Sequence, residues 1–224
     1  PCCSHVVRQA QANTVSRMSA TDKTDRSVRR HAVLDRVVHW LFATSVLILL
    51  GTGFLPILGL NFDWVTWHWG TGLALAAILA VHVWRAWLKT KFRSIWFGLT
   101  DARLVLLSFK DPSEKPGKYS PAQKMMHFGV TMLVLATFVS GLIMMVKVDT
   151  PLWERNPYLF DSGTWGVIYF VHGLAAMALV TTVMLHVYFS LRPEKRLYLR
   201  SMIQGRLSSS ELRAYHDPEK WSGD

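Results

Sequence analysis

His172 and His186 lie fourteen residues apart in the last apolar stretch of the chain, and His68 and His82 repeat the interval in the second. Fourteen α-helical residues rise about 21 Å and turn through nearly four revolutions, so the members of each pair face the same way at opposite depths of a bilayer. Imidazole is an axial ligand of haem iron, and ionisable groups at such depth are rare unless they serve function. The chemistry this spacing serves is the stacking of two haems across a membrane; a purely structural histidine there would need a buried hydrogen-bond partner. Gly70 and Gly72 beside His68, and Gly173 beside His172, let a flat macrocycle approach the backbone, which pairs His68 with His172 at an outer haem. Two residues could face His186 at an inner haem. His39 stands just inside the start of the first apolar stretch and His82 six residues before the end of the second, at comparable depth; spacing alone favours His82, which completes a symmetrical two-plus-two arrangement.

The elements that must carry these residues are four apolar stretches, Val37–Leu58, Trp67–Leu88, Met125–Val146 and Trp165–Leu191, in a chain of 224 residues that is 50% hydrophobic. Each is near the ~20 residues that cross a hydrocarbon core, and Arg85 is the only Lys, Arg, Asp or Glu within them. Buried helices of a soluble globule seldom run so long with so little charge. The expected fold is an all-α membrane protein, a four-helix transmembrane bundle with cytoplasmic interfacial and C-terminal helices. Pro56 ends the first stretch, and Pro151 and Pro157 mark the loop after the third.

A net charge of +10 raises nucleic acid as a partner, but the distribution argues against it. Seven Lys or Arg precede the first stretch, eight lie from Lys89 to Lys124 and seven follow the fourth, whereas Lys147 and Arg155 alone occupy the opposite loops. This is the positive-inside pattern of a bacterial inner-membrane protein with both termini cytoplasmic. Trp64, Trp67, Trp69, Trp153 and Trp165 read as an outer aromatic belt, and Trp40, Trp84, Trp87 and Trp96 as an inner one.

Cys2 and Cys3 are adjacent, so the chain cannot build an iron–sulfur ligand set, and any such relay belongs to a partner. Residues 1–30 read as a flexible basic arm, 31–191 as the di-haem domain and 192–224 as a C-terminal helix and tail. Ser94–Lys110 has the pattern of an amphipathic helix on the inner membrane face, and Glu194 to about Tyr215 that of a single helix carrying Arg196, Arg200, Arg206 and Arg213. His31 and His216 read as solvated, with His5 in the arm. His127 reads as a core or interfacial histidine, with proton delivery as its functional alternative. Ser45, Thr71, Thr137, Ser140, Thr181 and Thr182 are candidates to hydrogen-bond the ligands, or only their own helices.

Several strings give the chain a further resemblance. Asp35-Arg36-Val37-Val38-His39-Trp40, Gly117-Lys118-Tyr119-Ser120-Pro121-Ala122-Gln123-Lys124, His172 and His186, Ser201-Met202-Ile203-Gln204-Gly205-Arg206 and His216-Asp217-Pro218-Glu219-Lys220-Trp221 occur in order from about Arg30 to Trp221. In these the chain resembles the γ subunit, a membrane cytochrome b, of the respiratory formate dehydrogenase family, within a wider group that includes cytochrome b subunits of nickel–iron hydrogenases. The resemblance implies two haems b, the inner held by His39 and His186 and the outer by His68 and His172, with His82 a bystander. It also implies a quinone site of Tyr119, Ser120, Ala122, Gln123 and His186. Ser120 and Ala122 stand where that family has Asn and Gly. Residue chemistry by itself reads the same segment as an ordinary helix start, capped by Ser120 with Pro121 in the first turn.

The function implied is transfer of electrons from a partner iron–sulfur subunit, attached to a catalytic molybdenum or tungsten oxidoreductase subunit, through two haems to menaquinone or ubiquinone near the cytoplasmic face. No residue of this chain is assigned a catalytic role. The alternatives are the cytochrome b of a hydrogenase or another molybdoenzyme, a free-standing di-haem quinone oxidoreductase, and, in a different class, a haem-free membrane anchor or transporter.

Overall fold

The computed structural model describes residues 27–88, 98, 103, 115–219 and 221. Four long helices dominate: α1 Val33–Phe54, α2 Trp64–Leu88, α3 Pro121–Met144 and α4 Ser162–Leu191. All four are long and apolar enough to cross a bilayer. Each begins three or four residues before its apolar stretch. Local chemistry marks the ends. A 3-10 turn at Leu55–Leu58, with Pro56 in its first turn, closes α1. Ser120 and Gln123 cap α3 reciprocally, and Asp161 accepts the Thr164 amide at the start of α4.

α1 packs on α2 and α3 on α4 as two hairpins, and α2 meets α3 between them. The hairpin connections lie at one end of the bundle; the described terminal segments lie at the other. Midway, one side chain from each helix meets in a buried layer of Val46, Leu75, Val134 and Leu179. Leu75 is seven residues from both His68 and His82, and Leu179 seven from both His172 and His186. Two helical turns therefore separate each histidine from the layer, on the same face. The outward surface stays apolar: Trp87 is 72% exposed, Phe170 68% and Met184 67%. Such a surface suits the hydrocarbon of a bilayer.

The terminal end is more ordered than its charge suggests. Strand β1, Ser27–Arg29, pairs antiparallel with β2, Arg206–Ser208, and the amides of Arg30 and His31 donate to the Gly205 carbonyl. Ser27–Arg30, expected in the flexible arm, is thus part of the fold. The expected single helix from Glu194 to Tyr215 is instead a 3-10 turn at Pro193–Lys195, helix α5 Arg196–Gln204, β2, and helix α6 Ser209–Tyr215. Gly205 makes the break. Its φ of 82° ends α5, and a Cβ there would stand 3.1 Å from the His31 carbonyl and 3.2 Å from Cζ of Arg36. The interfacial helix expected at Ser94–Lys110 lies outside the described residues, apart from the isolated positions 98 and 103.

His216, expected in solvent, is fully buried. It is an acceptor for a buried cation: Arg30, 2% exposed, places Nη1 3.0 Å from Nε2 of His216 and donates Nη2 to the Lys118 carbonyl at 3.1 Å. Because the guanidinium can only donate, Nε2 accepts and Nδ1–H donates to the Gly117 carbonyl at 2.7 Å. The Tyr198 and Trp221 rings lie 4.6 and 5.7 Å from the guanidinium carbon, so aromatic faces offset part of the cost of burying the charge. His31 is half-buried beside the same guanidinium, receiving Nε of Arg30 at 3.2 Å.

Burial, with the nearby Arg30 charge, holds His216 below its ordinary value of 6.5, against the opposing pull of the Gly117 carbonyl. The folded ring is then harder to protonate than the unfolded one, so its contribution is intact above about pH 6.5 and is lost as pH falls below it. Trp221 fluorescence and limited proteolysis of the tail should show the clasp opening on acidification through this range. His216→Phe should remove that pH dependence and weaken the clasp at neutral pH by about 2 kcal/mol, the scale of a hydrogen bond to a charged group.

Candidate functional site

The two histidine pairs face each other across the hairpins. Near the hairpin end, His68 of α2 and His172 of α4 have ring centres 6.2 Å apart; near the terminal end, His39 of α1 and His186 of α4 have ring centres 6.4 Å apart. An imidazole nitrogen binds a metal at about 2 Å and sits about 1 Å from its ring centre, so two imidazoles sharing one ion from opposite sides have ring centres about 6 Å apart. Both pairs have that separation. Among the described residues no group of three or more His, Cys, Asp or Glu side chains converges. A two-imidazole site suits a metal whose remaining ligands come from a macrocycle rather than from the protein.

Hydroxyls determine which nitrogen is offered at the hairpin end. Thr52 Oγ1 lies 2.8 Å from Nδ1 of His68, and its hydroxyl is within reach of its own helix carbonyls, Ile48 at 2.8 Å and Leu49 at 3.1 Å. Ser140 repeats this on α3, with Nδ1 of His172 at 3.0 Å and the carbonyls of Ala136 at 2.6 Å and Thr137 at 3.2 Å. A hydroxyl has one hydrogen; spending it on the helix leaves a lone pair, which accepts Nδ1–H from the ring. Each imidazole is thereby the neutral Nδ1–H tautomer, with the Nε2 lone pair unspent. That is the state a metal ligand requires.

Glycine beside Ser140 gives the ring its space. A Cβ on Gly141 would stand 3.2 Å from Cε1 of His172, whereas one on Gly53 would stand 3.7 Å from Cε1 of His68, an ordinary contact. Thr52 on α1 and Ser140 on α3 are thus matching hydroxyls, one per hairpin, each serving the histidine of the following helix. Ser140 is among the residues that the sequence marks for this role, and Thr52 is not. The signal that could have found it is the repeated hydroxyl–glycine pair near the end of the first and third helices. Ser45, Thr137, Thr181 and Thr182 bond carbonyls of their own helices.

His82 is placed elsewhere. Its electrostatic neighbours are Asp35, Arg85 and His127, and Asp35 and Arg85 are themselves ion-paired at 3.0 Å. Tyr119, Ser120, Ala122 and Gln123 open α3 at the same end of the bundle as His186. There Ser120 Oγ accepts the Gln123 amide at 3.2 Å and Gln123 Oε1 accepts the Ser120 amide at 2.9 Å, the ordinary helix start read from residue chemistry. Trp165, expected in the outer aromatic belt, is 4% exposed; it folds under the loop with Nε1 on the Pro157 carbonyl at 3.0 Å and Lys147 4.5 Å above its ring.

Residues 30–205, which include all four long helices, match the family described as prokaryotic cytochrome b561. The chain belongs to the prokaryotic cytochrome b561 family. Membership implies that this membrane cytochrome binds haem b, and the facing imidazoles, with Nδ1 of His68 and His172 taken up by hydroxyls, fit that group. The chain is also 22% identical over 205 residues, covering 85% of its length and 90% of the relative, to the formate dehydrogenase cytochrome b556(fdo) subunit of Escherichia coli strain K12. The same figures hold for the subunits so named in the O6:H1 and O157:H7 strains.

Close approach at Gly141 should be visible in the cytochrome's spectrum. Gly141→Ala, which forces the His172 ring to give by a few tenths of an ångström, should alter the low-spin electron paramagnetic resonance signal of the haem-loaded protein. Gly129→Ala, where a Cβ meets nothing within 4 Å, should leave the spectrum unchanged.

Proposed function

We propose that this cytochrome is the membrane subunit of a formate dehydrogenase-type respiratory complex, passing electrons from a partner iron–sulfur subunit through two haems b to quinone. The observation that carries this reading is the pair of imidazole couples at metal-sharing separation, 6.2 and 6.4 Å, at opposite ends of one apolar bundle. His68 and His172 are the ligands near the hairpin end, and His39 and His186 those near the terminal end. Each bound haem supplies a one-electron couple. The chain supplies neutral imidazoles, and the layer of Val46, Leu75, Val134 and Leu179 keeps water from the middle of the bundle.

Positive-inside logic makes the terminal end cytoplasmic and the hairpin end the side that meets the electron donor. The distant similarity to the Escherichia coli subunits supports an iron–sulfur partner attached to a molybdenum or tungsten oxidoreductase that oxidises formate. Quinone is reduced by two electrons and two protons near the cytoplasmic face, beside His186 and the start of α3. The helix cap there leaves the Ser120 hydroxyl hydrogen and the Gln123 amide hydrogens unspent, so both can donate to a quinone carbonyl. Tyr119 and Ala122 complete the proposed site.

Haem quantification on the purified full chain tests the ligand assignment. Two haems b per chain are expected, with low-spin bands in the reduced-minus-oxidised spectrum. His39→Ala should reduce the content to one while His82→Ala retains both; the opposite result assigns the terminal-end haem to His82. A colourless protein would return the chain to the anchor or transporter class. Quinone reduction should require formate and the partner subunits, and Ser120→Ala with Gln123→Ala should raise the quinone KM several-fold with haem content unchanged.

A further inference from the structure

The two ends of the bundle treat their histidines differently. At the hairpin end both imidazoles donate Nδ1–H to a hydroxyl whose own hydrogen is committed to the helix, and the main chains of Leu49 and Thr137 also interact with the His68 and His172 rings. At the terminal end, among the described residues, His39 and His186 have ring neighbours but no hydrogen bond to a ring nitrogen; His39 stacks edge-on with Trp40 at 5.4 Å. A hydrogen bond from Nδ1–H moves electron density toward Nε2 and makes the imidazole a stronger donor to its metal. A stronger donor stabilises the ferric over the ferrous ion and lowers the reduction potential.

We propose that Thr52 and Ser140 are positioning residues that set the redox order of the cytochrome, holding the hairpin-end haem at a lower potential than the terminal-end haem. The inference rests on the reading that these pairs ligate haem, and goes beyond it by assigning a direction to two hydroxyls. An electron moving from the hairpin-end site to the terminal-end site oxidises one ferrous iron and reduces one ferric iron. No bond is made or broken, and the Nδ1 protons stay on the rings. With the hydroxyls in place that transfer is downhill, toward the end where we place quinone. The duplicated device, one hydroxyl per hairpin, is what a tuned site needs: both axial ligands are biased in the same sense.

Redox potentiometry on the full chain purified with its haem, using chemical mediators, tests this without any partner or enzymatic assay. Thr52→Val and Ser140→Ala should each raise the lower of the two midpoint potentials and leave the upper in place, with the double variant raising it further. A tenfold change in the reduction equilibrium corresponds to 59 mV for one electron. Thr52→Ser and Ser140→Thr, which keep the hydroxyl, should restore the native value. Ser45→Ala, whose hydroxyl serves only the Leu41 carbonyl, should change neither midpoint. Unmoved midpoints in the double variant at full haem content overturn the inference and leave the proposed function standing, as does movement of the upper midpoint instead of the lower. Fewer than two haems in the unsubstituted chain overturns the proposed function and this inference with it.

Discussion

A polar ring placed within a bilayer has no water to turn to, and at the hairpin end this fold answers that constraint with a hydroxyl from the neighbouring helix. Thr52 on His68 and Ser140 on His172 join each hairpin across its two helices. Interhelical hydrogen bonds in membrane proteins contribute about 0.6–2 kcal/mol, too little to hold a bundle of four long helices together. Their importance is orientation. By taking up Nδ1–H they select one tautomer and one ring direction, and so decide which nitrogen each imidazole presents to the space between the hairpins. The glycine that follows Ser140, and the apolar layer seven residues along the helix from His68 and His172, fit that direction.

The terminal end shows the same economy with a different group. Arg30 is a cation buried without a carboxylate among the described residues, held by two imidazoles, one carbonyl and two aromatic faces. It binds together three segments far apart in the chain: the strand before α1, the start of α3 and the C-terminal tail. The turn leading into α3 is thereby anchored just ahead of Ser120 and Gln123, so the proposed quinone site sits on a braced segment. Both ends of the molecule use histidines as hydrogen-bonding groups, His216 in a structural clasp and His68 and His172 against the hydroxyls of Thr52 and Ser140.

Much of this was legible in the chain. The four apolar stretches located the four helices to within a turn, and the fourteen-residue interval placed His172 and His186 on one face of α4. Ser120, Pro121 and Gln123 announced the start of α3. The misreadings share a cause. His216 and Ser27–Arg30 look solvated because their neighbours in sequence are polar, while hydrogen-bond partners that fix them come from segments more than eighty residues away. Glu194–Tyr215 has a helical pattern that a single positive-φ glycine interrupts. Trp165 has the composition of a belt residue but is covered by its own loop.

Periodicity states which face of a helix a residue occupies; it does not say which neighbour that face meets. His39 and His82 are the clearest instance. Both stand at the same end of an apolar helix, and spacing alone leaned toward His82, yet in the fold His39 faces His186 while His82 lies among Asp35, Arg85 and His127. Hydrophobic length and charge asymmetry are properties of consecutive residues, so the sequence by itself determined that the chain is a four-span membrane protein with histidines at two depths. Lateral packing, helix rotation and the meeting of Thr52 with His68 depend on contacts between helices, and those the tertiary structure alone decided.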